Sequence, residues 1–253
     1  MINIEIIGKI YSFIIGTCLA SFINVVVYRI ENHESFIKGR SHCNNCLKTI
    51  RWYDLIPILS FILLKGRCRY CKDKIPLRGF IIEIIGGLIG LICYLEYGIR
   101  INTLIVLILS MILLTISLID IDTMEIPNGL IITMSICSII YFIVNEMNII
   151  DSIVGMLIIS LPMFVLTIII PDCFGGGDIK LMFVSGIMLG SINSLLATCI
   201  AIILAGIYSS YLMITKKVNM KSHIPFGPYL AFGIVLALMQ GSNIITAYWN
   251  LLV

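Results

Sequence analysis

Two aspartates and four cysteines are the residues of this chain whose types and spacing point to chemistry. Asp120 closes the apolar run ILSMILLTISLI, and Asp178 closes the glycine string Gly175-Gly176-Gly177, 58 residues further on. Carboxylates at the edge of a hydrocarbon layer are costly and usually functional. Two that meet cannot both ionise easily, so they share a proton. One then acts as base toward a water while the other donates to a carbonyl, the division of labour that acid proteolysis needs. Each acid alone reads equally well as an interfacial residue solvated by headgroups, and Asp178 also as a helix N-cap. Asp122 lies two residues past Asp120, where a helix would point it to nearly the opposite side. Spacing does not choose between them. Glu125, just before Pro127, reads as solvated.

The cysteines suggest a second kind of chemistry. Cys43 and Cys46 form one C-x-x-C pair and Cys68 and Cys71 another, with 21 residues between the pairs. Each pair can grip one ion from a tight turn, and four thiolates close a tetrahedral zinc site with no position open to substrate, so the role is structural. Zinc also stabilises a segment of about fifty residues, which has little core of its own. A redox C-x-x-C would require a thioredoxin-like βαβ setting, and none is visible. The remaining cysteines, Cys18, Cys93, Cys137, Cys173 and Cys199, lie in or beside apolar runs and read as small packing residues.

The elements that must position these groups are membrane helices. Of the 253 residues 59% are hydrophobic and only 12% charged, and the mean hydropathy is +1.07. A soluble domain carries about a quarter charged residues. Too few polar residues remain to cover a core, so lipid must form much of the exterior and the backbone must be satisfied internally. Long continuous apolar runs select helices. The expected fold is an all-α polytopic membrane protein of about eight transmembrane helices, near 8–28, 80–98, 102–120, 127–145, 151–170, 179–191, 194–214 and 226–242. The sixth is short, and its expected alternatives are a tilt or tight pairing with the seventh. The first span is expected to be retained, since Ala20-Ser21 is a poor cleavage signal. Gly86, Gly87 and Gly90 read as a close-packing stripe, and Glu83 as a structural acid in the second span.

Charge sets the expected orientation. Between residues 29 and 79 stand eleven of the 17 basic residues, against Glu31, Glu34, Asp54 and Asp73. By the positive-inside rule this segment faces the cytoplasm. Counting spans from it puts the loops near 121–126, 171–178 and 215–225 on the same side, the last with Lys216, Lys217 and Lys221. Both termini then face outward. Two spans separate Asp120 from Asp178, a hairpin that returns both acids to one depth. The basic segment reads as topogenic charge against anionic headgroups, with no nucleic-acid partner. The expected division is a first span at 1–28, a cytoplasmic zinc-binding insertion at 29–79 and a transmembrane domain at 80–253.

These segments, taken in order, resemble one family. Gly16-Thr17-Cys18-Leu19-Ala20-Ser21-Phe22-Ile23-Asn24, running on through Tyr28-Arg29, is similar to the first-span signature of bacterial type IV prepilin peptidases. The paired cysteines, Ile56-Pro57 and the stretch from Arg78 to Glu83 resemble that family's cytoplasmic domain. Ile119-Asp120-Ile121-Asp122 followed by Pro127-Asn128 resembles its first catalytic segment, and Gly175-Gly176-Gly177-Asp178-Ile179-Lys180 its G-x-G-D motif. Ile224-Pro225-Phe226-Gly227-Pro228-Tyr229 is similar to the C-terminal signature. Glu31 and Asn44 stand where many members have proline. The resemblance implies an intramembrane aspartyl protease that removes the short basic leader of prepilins and pseudopilins at the cytoplasmic membrane face, with Asp120, not Asp122, as partner of Asp178. It alone implies methylation of the new N-terminus with S-adenosylmethionine, for no G-x-G-x-x-G follows a strand.

Two other classes fit parts of the pattern. A transporter would use Asp120 and Asp178 to bind a cation or relay protons, although no repeated half with matching broken helices is visible. A zinc-anchored scaffold would tolerate loss of either acid. The sequence names neither the individual substrate nor the oligomeric state.

Overall fold

The computed structural model describes residues 4–31, 41–43, 45–171, 173–215 and 224–252. Lys38, Arg40, Lys216, Lys217 and Lys221, on which part of the charge argument rests, and the Asn44 departure lie outside them. Among the described residues the long elements are all helices: α1 Ile4–Glu31, α2 Leu59–Leu63, α3 Leu77–Tyr97, α4 Ile101–Thr123, α5 Asn128–Val144, α6 Ile149–Ile169, α7 Gly176–Ile214 and α8 Gly227–Leu252. Six of them are long and apolar enough to cross a membrane, and α5 is a shorter apolar helix. The chain is a multi-pass membrane protein.

The 39 residues of α7 are not one rod. Gly190 breaks the helix at φ 71, ψ −173, a conformation open to glycine and closed to side chains. A straight helix would carry Tyr208 roughly 45 Å from Asp178, at 1.5 Å per residue. Instead Tyr208 packs on Tyr229, ring centroids 6.0 Å apart, near Gly227, whose N–H bonds Asp120. The second arm, 191–214, therefore runs back toward the end from which the first arm, 176–189, sets out. Asp151 in the first turn of α6 holds this reversal, accepting hydrogen bonds from the Ser191 backbone N–H and hydroxyl. The expected sixth and seventh spans are thus the two arms of α7, so the described residues hold seven apolar helices, one of them broken at Gly190, where about eight were expected.

Two compact units form, Met1–Thr103 and Leu104–Val253. In the first, α1 lies along α3 on a stripe of small residues. A methyl added to Gly86 would collide with Ala20, and one added to Gly87 would lie 2.6 Å from Phe13. Lipid tails give helices no hydrophobic reason to associate, so close backbone approach supplies the packing. In the second unit α4 is the most deeply buried of the long helices, with Leu109, Leu113, Ile116 and Ile119 almost wholly buried, as are Leu181 and Met182 of α7 and Leu230 and Ile234 of α8. Gly155 of α6 meets Gly186 and Gly190 of α7 backbone to backbone. The burial of α4 brings its terminal acid inside.

The insertion between α1 and α3 contains a strained turn. The Leu59 N–H bonds the Pro57 carbonyl, which makes Ile58 the centre of a γ-turn at φ 61, ψ −53. That form is rare and strained, and for a β-branched residue costs on the order of 1–3 kcal/mol. Glu83 of α3 holds it, accepting the Ile58 N–H at 2.7 Å. The structural reading of Glu83 thus acquires a partner and a purpose.

Candidate active site

α4 ends one turn beyond its buried acid. Asp120 is 5% exposed, and the Met124 N–H closes on its carbonyl at 2.9 Å. Met124 itself sits at φ 55, a left-handed stop of the kind that ends helices. The chain turns through Glu125 and Ile126 to Pro127, whose fixed φ suits the start of α5.

α7 begins at the triglycine. Gly175 is extended, at φ −66 and ψ 139, and its carbonyl accepts from the N–H groups of Asp178 and Ile179 at 3.1 and 3.3 Å. Asp178 therefore lies in the first helical turn and does not cap it. Its side chain is buried, and Oδ1 takes no hydrogen bond from a described residue. An unsatisfied buried oxygen is costly, and such groups in a native fold call for an explanation.

Asp120 and Asp178 line one cavity of about 290 Å³, with Glu125, Asn128, the three glycines and Lys180. They are near enough for the charge of Asp120 to act on Asp178. Neither forms an ion pair with a described residue. Close packing fixes their positions. The Gly227 N–H donates to Asp120 Oδ2 at 2.9 Å, and a Cβ at Gly227 would stand 2.7 Å from that oxygen. A Cβ at Gly177 would stand 2.8 Å from Ile126 Cβ. Lys180 Nζ donates to Asn128 Oδ1 at 2.9 Å, tying the start of α7 to the start of α5. Asp122 is exposed and outside the cavity. Glu125 is exposed as expected, yet it lies on the cavity wall. Gly227, Lys180 and Asn128 stand inside the quoted motifs, but their types and spacing gave no sign of these contacts.

The four cysteines also meet. The sulfurs of Cys43, Cys46, Cys68 and Cys71 all lie within 4.8 Å of one another, with Cys43 and Cys71 at 3.8 Å. A tetrahedron with metal–sulfur bonds of about 2.3 Å has sulfurs about 3.8 Å apart, so the group fits a metal ion. Both turns are built alike. Cys43 N–H bonds the Lys48 carbonyl and Cys68 N–H the Asp73 carbonyl. The fifth residue of each, Leu47 and Lys72, is left-handed at φ 55 and 61. Each turn is closed by an isolated antiparallel bridge, His42 to Thr49 and Arg67 to Lys74. The backbone N–H groups of Cys71 and Tyr70 lower the Cys68 thiol to about 7, toward the thiolate that binds metal. Alongside, Arg69 grips Asp54 with two hydrogen bonds of 2.8 and 2.6 Å.

Comparison with known proteins bears on both clusters. Residues 14–97 match the Bacterial Peptidase A24 N-terminal domain, and residues 107–210 match the Type IV leader peptidase family. The Prepilin leader peptidase/N-methyltransferase of Vibrio cholerae serotype O1 is 30% identical over 92% of this chain and 96% of its own length. This chain belongs to the type IV leader peptidase family. Within that family the protein of the same name from Bacillus subtilis is 28% identical over 93% of this chain and 96% of its own. The Type 4 prepilin-like proteins leader peptide-processing enzyme of Escherichia coli O78:H11 is 29% identical over 86% and 88%. No solved structure matches. The two matched regions contain both clusters, the cysteines in the first and the aspartates in the second. Family membership does not favour the transporter reading.

Proposed function

We propose that this leader peptidase relative is an aspartyl endopeptidase that removes the short basic leader of prepilins and pseudopilins at the cytoplasmic face of the plasma membrane, with Asp120 and Asp178 as its catalytic pair. The convergence of two buried carboxyl groups from distant helices in one cavity carries this reading. One carboxylate takes a proton from a water as its oxygen bonds to the scissile carbonyl carbon. The other, protonated, donates to the carbonyl oxygen. Collapse of the tetrahedral intermediate breaks the C–N bond, and the departing nitrogen takes a proton to become the new amino terminus. Gly227 N–H orients Asp120. The first N–H groups of α7 have no intrahelical acceptor, and glycine at 175, 176 and 177 leaves the backbone open to an extended peptide.

The four cysteines would hold Zn2+, whose binding closes the insertion and leaves no ligand position for substrate. The insertion, residues 29–79, and both acids face the cytoplasm in this reading, with 1–28 as the first span, 80–253 as the protease domain and both termini outside. The names of the Vibrio and Bacillus relatives extend the proposal to a second activity, N-methylation of the freed amine. S-adenosylmethionine would supply the methyl group for that reaction.

Co-expression with a prepilin, followed by intact-mass measurement, tests both activities in one spectrum. Leader removal shows as the loss of the leader mass and methylation as a gain of one methyl. An unprocessed prepilin would overturn the proteolytic reading.

A further inference from the structure

We infer that residues 55–63 of the insertion are a membrane-contact element, their exposed apolar face set in the headgroup and acyl boundary of the leaflet that α3 enters. The stretch from Leu55 to Leu64 is ten residues without a charge. An apolar run of that length is too short to span a bilayer and fits either a buried core or an interfacial segment. The structure excludes the core, for neither the 3-10 turn Trp52–Leu55 nor α2 holds a buried residue.

The run has two faces. Ser60, Phe61 and Leu64 are half-buried. Leu59, Ile62 and Leu63, at i, i+3 and i+4, share the other face of α2, and all three are exposed, Leu63 to 71%. Leu55 and Ile56, ahead of the turn at Ile58, are exposed as well. Clustered exposed apolar side chains mark a contact surface.

Two contacts with α3 say what covers it. Insertion and helix belong to one compact unit, Met1–Thr103. Phe61 stacks on Phe80, ring centroids 4.6 Å apart and 22° from parallel, and the Ile58 N–H donates to Glu83 Oε2 at 2.7 Å. Phe80 and Glu83 stand in the first two turns of α3, which has 21 residues and is apolar enough to cross a membrane. At 1.5 Å per residue that helix is about 31 Å long, hardly more than the hydrocarbon core of about 30 Å. Its first two turns therefore reach from the headgroups into the acyl chains, and α2 lies at their level. An apolar face turned outward at that height meets lipid. The strained turn at Ile58, pinned by Glu83, is where the insertion is tied to this depth.

Charge agrees. Lys65 and Arg67 follow the run directly and are exposed, and basic side chains beside an interfacial segment attract anionic headgroups. Trp52, 77% exposed, precedes the run, and tryptophan favours the membrane–water boundary. The run lies between the two cysteine pairs in sequence, so lipid contact tethers both metal-binding knuckles to the membrane surface.

The test uses full-length, zinc-loaded protein in vesicles of phosphatidylethanolamine and phosphatidylglycerol. In the first arm the vesicles contain phosphatidylglycerol with a diazirine near the head of one acyl chain, and wild type is irradiated and mapped by peptide mass. Label is expected on residues 55–63 as well as on α3. Label on α3 with none on 55–63 would overturn the membrane contact, and this arm needs no variant. The second arm reads depth from Leu63→Trp in a Trp52→Phe, Trp249→Phe background, which removes both native tryptophans. Lipid brominated high on the acyl chain should cause a greater loss of the introduced indole's fluorescence than lipid brominated near the methyl end, since interfacial helices sit about 5–10 Å into the boundary. Strong quenching by aqueous acrylamide without quenching by lipid would assign the face to water. Shielding from both would assign it to a second copy of the chain or to the substrate peptide. Either result overturns the proposal.

Discussion

The backbone N–H of Gly227 reaches Asp120 Oδ2 across 107 residues of sequence. Nothing larger than hydrogen fits at Gly227, since a Cβ would meet the carboxylate at 2.7 Å. Gly227→Ala is therefore expected to swing Asp120 from its place. Misplacement by about an ångström costs on the order of 100-fold in rate. Cleavage of a purified prepilin should fall by roughly that factor, with the helical circular dichroism retained.

The two acids should be unequal to their neighbour. Asp120→Asn and Asp178→Asn remove the groups that exchange the proton and should each abolish leader cleavage, a loss beyond about 100-fold. Asp122→Asn alters an exposed side chain and should cost less than about threefold. Gel mobility of the prepilin separates these outcomes, and substantial processing by either of the first two variants would refute the dyad.

Metal should be bound once per chain. Cys43→Ser breaks the tetrahedron, so zinc measured by plasma emission should drop well below one equivalent, and proteolysis between residues 41 and 76 should accelerate. A strong chelator applied to wild type should produce the same cutting pattern. Full zinc occupancy in Cys43→Ser would remove that residue from the ligand set.

Asp54 makes a pH prediction. The hydrogen bonds from Arg69 hold its carboxyl below its ordinary value, so the folded group releases its proton at lower pH than the unfolded one. Its stabilisation is complete above the unfolded value, about 3.9, and is lost as pH falls through the folded one. The gap in melting temperature between wild type and Asp54→Asn should be constant above about pH 5 and shrink below pH 4. A gap independent of pH over that range would show that the carboxylate charge contributes nothing.

Much of this was legible in the sequence because lipid imposes simple rules. Apolar run length gave the helical segments, although the expected sixth and seventh spans are the two arms of one helix, broken at Gly190 instead of near residues 192–193. Paired spacing gave the cysteine cluster. Spacing alone could not separate Asp120 from Asp122, because the choice depends on which face of α4 turns inward. That is a property of packing against α7 and α8, and only the family resemblance carried it. The contacts of Gly227, Lys180, Asn128 and Glu83 were hidden for a related reason. Each is made between residues far apart in sequence, where no periodicity reports on proximity.

The two helices that begin beside the acids are short. The first arm of α7, at 1.5 Å per residue, spans about 21 Å, and α5 about 25 Å, against a hydrocarbon core of about 30 Å. Local thinning of the bilayer is one way such short segments are accommodated. Hydrolysis consumes a water, the one reactant lipid cannot supply, and a locally thinned leaflet would deliver it to Asp178 from the aqueous phase with no dedicated channel.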